Sequence, residues 1–174
     1  FERQEDYDFI EKIVHHLIDM MIIVQEGQHI ELSNRLAGIQ LTNRCNLHCI
    51  HCCVDAGSNV DMGELTTEKM KTVFDKVIQW RPLRIMLSGG EPLVRNDFME
   101  LLRYLRSNYP GKITLSTNSL LINNDNVAEL VRCCDNFDVS IDGVDEESCS
   151  AVRGKGVFNK VCDRIHLLKE NGAK

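Results

Sequence analysis

The sequence predicts an α/β protein: part of a parallel (β/α) TIM-like barrel behind an N-terminal helical extension. Three observations predict it. Short β-rich runs alternate with helix-period segments four times after residue 35. The units are of regular length, and such alternation implies a parallel sheet with right-handed crossovers. Each strand also runs into an unusual polar or glycine-rich segment, and in such folds ligands gather at the C-terminal strand ends.

The elements follow in order. Residues 5–22 read as a helix, with Phe9, Ile13, His16, Leu17 and Met20 or Met21 on one face. "EGQ" (26–28) turns the chain, and residues 1–34 form the extension. The barrel segment, 35–174, opens with the strand "RLAGIQLT" (35–42), which feeds a cysteine-rich loop. "LTTEKMKTVFDKVIQW" is a helix with Thr66 as N-cap and Met70, Val73, Phe74, Val77 and Ile78 inward. "LRIMLS" (83–88) is a strand followed by "GGEP", and residues 96–108 form a helix stopped at Pro110 and Gly111. "KITLST" is a strand, and "NNDNVAELVRCC" is a helix capped by Asn123 or Asn124. "FDVSID" (137–142) is the fourth strand, and "VFNKVCDRIHLLKENG" the last helix. The cysteine loop, "GGEP", "STNS" and "SIDG" therefore share one rim.

Composition sets the outer limits. The chain has 174 residues, 43% hydrophobic and 26% charged, enough for one domain with a proper core. A formal net charge of −6 gives no basic field for nucleic acid or anionic lipid, so neither is an expected partner. The most apolar run, Leu17 to Val24, is short and broken by Asp19, which does not read as a membrane span. Phe1 is not a natural start and "ENG" precedes Lys174, so both ends read as cut from a longer protein.

There are eight cysteines, and four of them, Cys45, Cys49, Cys52 and Cys53, crowd into one loop. Residues that close cannot all cross-link distant parts of a fold, so a metal site in a reducing cytoplasm fits better than a disulfide scaffold. Thiolates suit zinc or iron–sulfur clusters. Structural zinc commonly uses two separated ligand pairs, and no second pair of that kind follows; Cys133 and Cys134 are adjacent and chelate one ion poorly. Three cysteines on a loop can hold three irons of a [4Fe-4S] cluster and leave the fourth open for chemistry. Cys53 reads as a small buried residue; Cys133, Cys134, Cys149 and Cys162 read as inert. His48 and His51 flank the triad, whereas His15, His16, His29 and His166 show no partner pattern. Asp142 and Asp145 also read as turn residues around Gly143, and "DEE" (145–147) as a solvated helix start.

"NRCNLHCIHC", with Cys45-x3-Cys49-x2-Cys52 after a first barrel strand, resembles the signature of the radical S-adenosylmethionine (SAM) superfamily, and "GGEP" after the second strand resembles its SAM-amino-group motif. The resemblance runs from residue 36 to about 172. It implies a [4Fe-4S] cluster on Cys45, Cys49 and Cys52, with SAM on the open iron. It implies that the Gly89–Gly90 carbonyls and Glu91, in the motif closed by Pro92, receive the SAM ammonium. Thr117, Asn118, Ser140 and Asp142 would lie by the ribose or carboxylate, and Arg153 of "RGKGVF" would pair with the carboxylate. The implied reaction is reductive SAM cleavage to a 5′-deoxyadenosyl radical that abstracts hydrogen, fed by reduced flavodoxin or ferredoxin.

Two features depart from the pattern. Ser119 stands where the family often has Gly, and four units are present of the family core's six, which implies an exposed sheet edge with impaired SAM binding or pairing of chains. "LSGGEPL", "STNSLLI" and "VSIDGVDEESCSAVRGKGVF" are most similar to the branch with SPASM-type C-terminal domains. Within it, Cys53 and the N-terminal helix resemble peptide maturases that form thioether cross-links, residues 1–34 then being the tail of a peptide-binding winged-helix module or a simple extension. Sulfatase maturases and cofactor-biosynthesis enzymes are the alternatives within the superfamily. A non-catalytic iron–sulfur or zinc module is the alternative outside it.

Overall fold

The computed structural model describes residues 4–19, 36–57 and 63–173. The chain divides into two compact units, Phe1–Leu32 and Ser33–Lys174. The described part of the first is helix α1 (Gln4–Asp19), matching the expected start. The expected turn at 26–28 and the last turn of that helix lie outside the described residues.

The second unit is an open sheet of four strands: β1 (Leu36–Gln40), β2 (Arg84–Ser88), β3 (Lys112–Thr117) and β4 (Asn136–Val139). All neighbours are parallel, in the order β1-β2-β3-β4. Sequential order without a reversal is that of a barrel wall, not of a doubly wound sheet, which reverses direction at a switch point. β2 and β3 are central, and Ile85, Leu87, Ile113 and Leu115 are fully buried.

Helices α2 (Thr67–Gln79) and α3 (Phe98–Asn108) form where the spacing of apolar residues fits a helix. Met70, Phe74 and Val77 of α2 are buried at intervals of four and three residues, as are Phe98, Leu101, Leu102 and Leu105 of α3. Tyr109, the residue before Pro110, is extended and ends α3, because proline disfavours α geometry in its predecessor.

Three local expectations change. Thr66 has the extended backbone of an N-cap, but its side chain makes no capping bond; only its carbonyl accepts the Met70 N–H at 2.9 Å. Helix α4 (Val127–Cys133) starts later than expected. Asn123 instead builds the turn ahead of it, its Oδ1 accepting from the N–H groups of Asp125 and Asn126. Strand β4 stops at Val139, so Ser140 and Asp142 lie on the rim loop rather than in the strand.

That loop leads to helix α5 (Glu146–Arg153), fixed by a capping box in which Asp145 and Ser148 bond each other's backbone N–H groups. Only its acidic start was anticipated. Helix α6 (Val157–Glu170) follows. Cys149 of α5 packs with Val157 and Val161 of α6 in a small second core.

Candidate functional site

The rim is assembled backbone first. The parallel pairing of β1 with β2 continues past both strand ends: Leu41 N–H donates to Ser88 O (2.8 Å), Gly90 N–H to Thr42 O (2.8 Å) and Glu91 N–H to Arg44 O (2.9 Å). The glycines make this approach possible. Gly89 has φ +144°, and a Cβ there would overlap the Thr42 carbonyl oxygen; one on Gly90 would overlap that of Arg44. The close approach of the glycine pair is therefore to the chain's own cysteine loop. Arg95, buried and not singled out from the sequence, fastens the same region. Its guanidinium donates to Leu41 O (2.9 Å), Leu65 O (3.0 Å) and the Asp97 carboxylate (2.7 Å).

The cysteine loop is closed across its base by Cys45 N–H to Gly57 O (3.2 Å) and held at its middle by Ile50 N–H to Val152 O of α5 (3.1 Å). Each of the three expected ligand sulfurs meets an N–H donor. Leu47 N lies 3.4 Å from Cys45 Sγ, Ala56 N lies 3.2 Å from Cys52 Sγ, and Arg153 Nη1 lies 3.9 Å from Cys49 Sγ. Donors of this kind stabilise thiolates and tune cluster sulfurs. Without a bound cation, burial pushes the Cys45 and Cys49 thiols up, against the Leu47 amide and the Arg153 guanidinium respectively. Cys53, read as buried, is exposed, and it reaches the rim of the cavity described next.

A cavity of about 210 Å³ opens among these groups. The expected residues Cys45, Cys49, Cys52, Gly89, Gly90, Thr117, Asn118, Ser140 and Arg153 all line it, with Ser116 and His51. Glu91, Pro92 and Asp142 are not on that wall. Glu91 is fully buried behind it, accepting from Thr117 Oγ1 (2.8 and 2.9 Å), Asn118 N–H (2.7 Å) and Leu93 N–H (3.1 Å). Burial raises its carboxyl pKa, and these bonds oppose the rise. Its side chain thus ties the end of β2 to the tip of β3. Pro92 starts the short 3-10 turn Pro92–Val94. Asp142 pairs with Arg153 and with His51.

Asn118 reaches across to the cysteine loop, its Nδ2 donating to Asn46 Oδ1 at 2.8 Å. Asn46 was missed, although it adjoins the first cysteine; no periodicity marks a residue whose role is one long-range bond. A larger hollow of about 330 Å³ lies beside β1, between Gln40 and Met70, and contains none of the expected residues.

The donor set fits an iron–sulfur cluster. Three loop thiols, each with an N–H donor, face one cavity floored by glycine backbone. Among the described residues, no three His, Cys, Asp or Glu side chains converge on a single ion, and a four-iron cluster asks only one thiolate of each protein-bound iron. Also among the described residues, no helix is long and apolar enough to cross a membrane.

A sequentially ordered parallel half-barrel with a thiol triad at its rim defines a class, and the comparisons give the same one. The Radical SAM superfamily model matches residues 39–174, and the chain belongs to that superfamily. It is similar to the mycofactocin maturase MftC of Mycolicibacterium smegmatis, 36% identical over 135 residues, covering 76% of this chain and 34% of that protein. It is equally similar to the AdoMet-dependent heme synthase of Methanosarcina barkeri, 36% identical over 139 residues, covering 78% and 39%. The chain thus spans about a third of the length of these relatives. Streptococcus suis SuiB bound to S-adenosylmethionine shares the fold, with a TM-score of 0.71 at 19% identity over 100% of this chain and 39% of that one.

Proposed function

We propose that this chain carries the radical-generating half of a peptide-modifying radical SAM enzyme. A [4Fe-4S] cluster would sit on Cys45, Cys49 and Cys52, and SAM would occupy the adjoining cavity. The observation that carries the reading is the meeting of three N–H-bonded loop thiols and the Gly89–Gly90 backbone around one cavity. When bound, the two cofactors supply reductive cleavage of the SAM carbon–sulfur bond, giving methionine and a 5′-deoxyadenosyl radical that takes a hydrogen atom from substrate.

The chain's own residues bind and orient. Leu47 and Ala56 amides hold the sulfurs of Cys45 and Cys52. The Gly89–Gly90 backbone offers carbonyls to an ammonium. Glu91 keeps Thr117 and Asn118 at the cavity wall. Ser140 lines the same cavity and would lie by the ribose or carboxylate, and Arg153 would offer its guanidinium to the carboxylate.

A peptide substrate is supported by the resemblance to SPASM-type maturases and by the maturase among the relatives. Thioether formation at a cysteine-containing peptide is the preferred reaction, with reduced flavodoxin or ferredoxin as electron donor. The heme synthase relative, of equal identity, favours a second reading, cofactor biosynthesis.

Anaerobic reconstitution tests the common core. About four irons per chain, and 5′-deoxyadenosine formed from SAM after reduction, are expected. One zinc per chain without SAM cleavage would identify a binding module instead. Loss of hydrogen from a cysteine-containing peptide, seen by mass spectrometry, separates the maturase from the cofactor enzyme.

A further inference from the structure

Arg153 is the one arginine or lysine among the described residues lining the cavity. Its backbone is fixed, because it ends α5 and its neighbour Val152 bonds the cysteine loop through the Ile50 N–H. Its side chain is long and would be free to turn, yet it is only 11% exposed and is held at two points. Nε donates to Asp142 Oδ2, and Nη1 lies 3.9 Å from Cys49 Sγ. Asp142 Oδ2 also lies 3.3 Å from His51 Nε2, and His51 belongs to the cysteine loop, between Cys49 and Cys52. A guanidinium presents five N–H donors in a rigid fork. With Nε anchored by Asp142, the two terminal nitrogens, of which Nη1 also meets Cys49 Sγ, remain to offer the cavity that Arg153 lines an edge matching a carboxylate in bidentate fashion.

We propose that Asp142 is a positioning residue: it holds Arg153 by Nε so that the terminal edge of the guanidinium is aimed past Cys49 at a ligand carboxylate, with His51 seating Asp142 against the cysteine loop. The inference rests on the reading that this cavity takes SAM. It replaces direct contact of Asp142 with the ligand by action through Arg153. A pre-aimed arginine loses less rotamer freedom on binding, so the gain falls on the carboxylate-bearing end of SAM alone.

The test is equilibrium binding of SAM and of decarboxylated SAM to the anaerobically reconstituted, unreduced chain, with iron content measured in every sample. Asp142→Ala should weaken SAM by about three- to tenfold, the cost of re-ordering one long side chain, and leave decarboxylated SAM within about twofold of the unaltered protein. Asp142→Asn keeps an acceptor for Nε and should bind SAM almost as the unaltered protein does. Asp142→Ala added to Arg153→Ala should have no further effect on SAM binding. Equal weakening of both ligands would mean that Asp142 touches the ribose and would overturn the proposal. So would SAM binding unchanged in Asp142→Ala, or Asp142→Asn as weak as Asp142→Ala. If the unaltered chain takes up iron but binds neither ligand, the SAM reading itself fails, before any variant is compared.

Discussion

Along β3 the side chains change character within a few residues. Ile113 and Leu115 are buried among aliphatic neighbours, whereas Thr117, Asn118 and Ser119 at the strand's end are buried just as deeply and are polar. The same change occurs across the sheet. Of the buried polar side chains among the described residues, Thr42, Glu91, Arg95, Thr117, Asn118 and Ser119 lie at or beyond C-terminal strand ends, and only Thr114 lies inside a strand. Burying polar groups is costly unless they are bonded, and the rim offsets that cost with its own bonds: Glu91 to Thr117 and Asn118, Asn118 to Asn46, and Arg95 to Leu41 O and Asp97. The cysteines divide along the same line. Cys133, Cys134 and Cys149 are buried with apolar side chains, and Cys134 is pushed up to about 12 by burial; Cys45, Cys49 and Cys52 are partly open and face N–H donors. Six of the eight cysteines thus fall into two environments, and their surroundings separate them.

The sharpest way to break this contrast is to remove thiols from each side. Cys45→Ala, Cys49→Ala or Cys52→Ala should abolish most iron uptake on reconstitution, whereas Cys134→Ala should retain it and cost only about 1 kcal/mol of stability. Alkylation of the iron-free chain gives an independent reading. Burial pushes the Cys134 thiol up to about 12, which lowers its thiolate fraction at any working pH. Labelling at the buried Cys134 should therefore trail labelling at the exposed Cys53 and rise with pH. Equal iron loss from both groups would erase the distinction.

A smaller effect distinguishes the rim backbone from the strand backbone. Gly89→Ala forces a Cβ onto the Thr42 carbonyl at φ +144°, and should cost about 1–3 kcal/mol while also lowering iron uptake, because Thr42 leads directly into the ligand loop. Gly38, inside β1, has a normal contact distance for a Cβ, 3.8 Å to Met86 Cε. Gly38→Ala should leave iron uptake unchanged. Chemical denaturation and iron analysis of the two variants decide it.

How much of this was legible from the sequence follows from the range of the interactions. Helices α2 and α3 were legible because Met70, Phe74 and Val77, or Leu101, Leu102 and Leu105, repeat locally. The shared rim was legible because βα alternation places every loop after a strand at the same end. What escaped depends on contacts distant in sequence. The Arg95 bond to Leu41 O spans 54 residues, and that of Asn118 to Asn46 spans 72. The motif identified Glu91 as a site residue, but the direction of its carboxylate, toward Thr117 rather than the cavity, is set by the β2–β3 pairing. The late start of α4 reflects competition, since asparagine side chains can bond the backbone in a turn instead of beginning a helix.

Two carboxylates close in sequence sharpen the comparison through pH, with the smallest effect of the three. Asp97 is pinned by Arg95, the largest cause of its lowered pKa. Its stabilising contribution is present above the unfolded value of 3.8 and is lost as pH falls through the lower folded value. Glu91 is buried with only neutral hydrogen-bond donors, and desolvation raises its pKa. Its contribution has the opposite sign: present in full below the unfolded value of 4.5, and lost as pH rises through the higher folded value. In the ligand-free chain, urea midpoints followed from roughly pH 3 to 8 should therefore show two separable slopes. Asp97→Asn should flatten the acid side alone, and Glu91→Gln the side above it alone. A Glu91→Gln variant with the unaltered slope would mean that the buried carboxylate is already matched by a cation. The rim would then differ from the interior in composition but not in electrostatic strain.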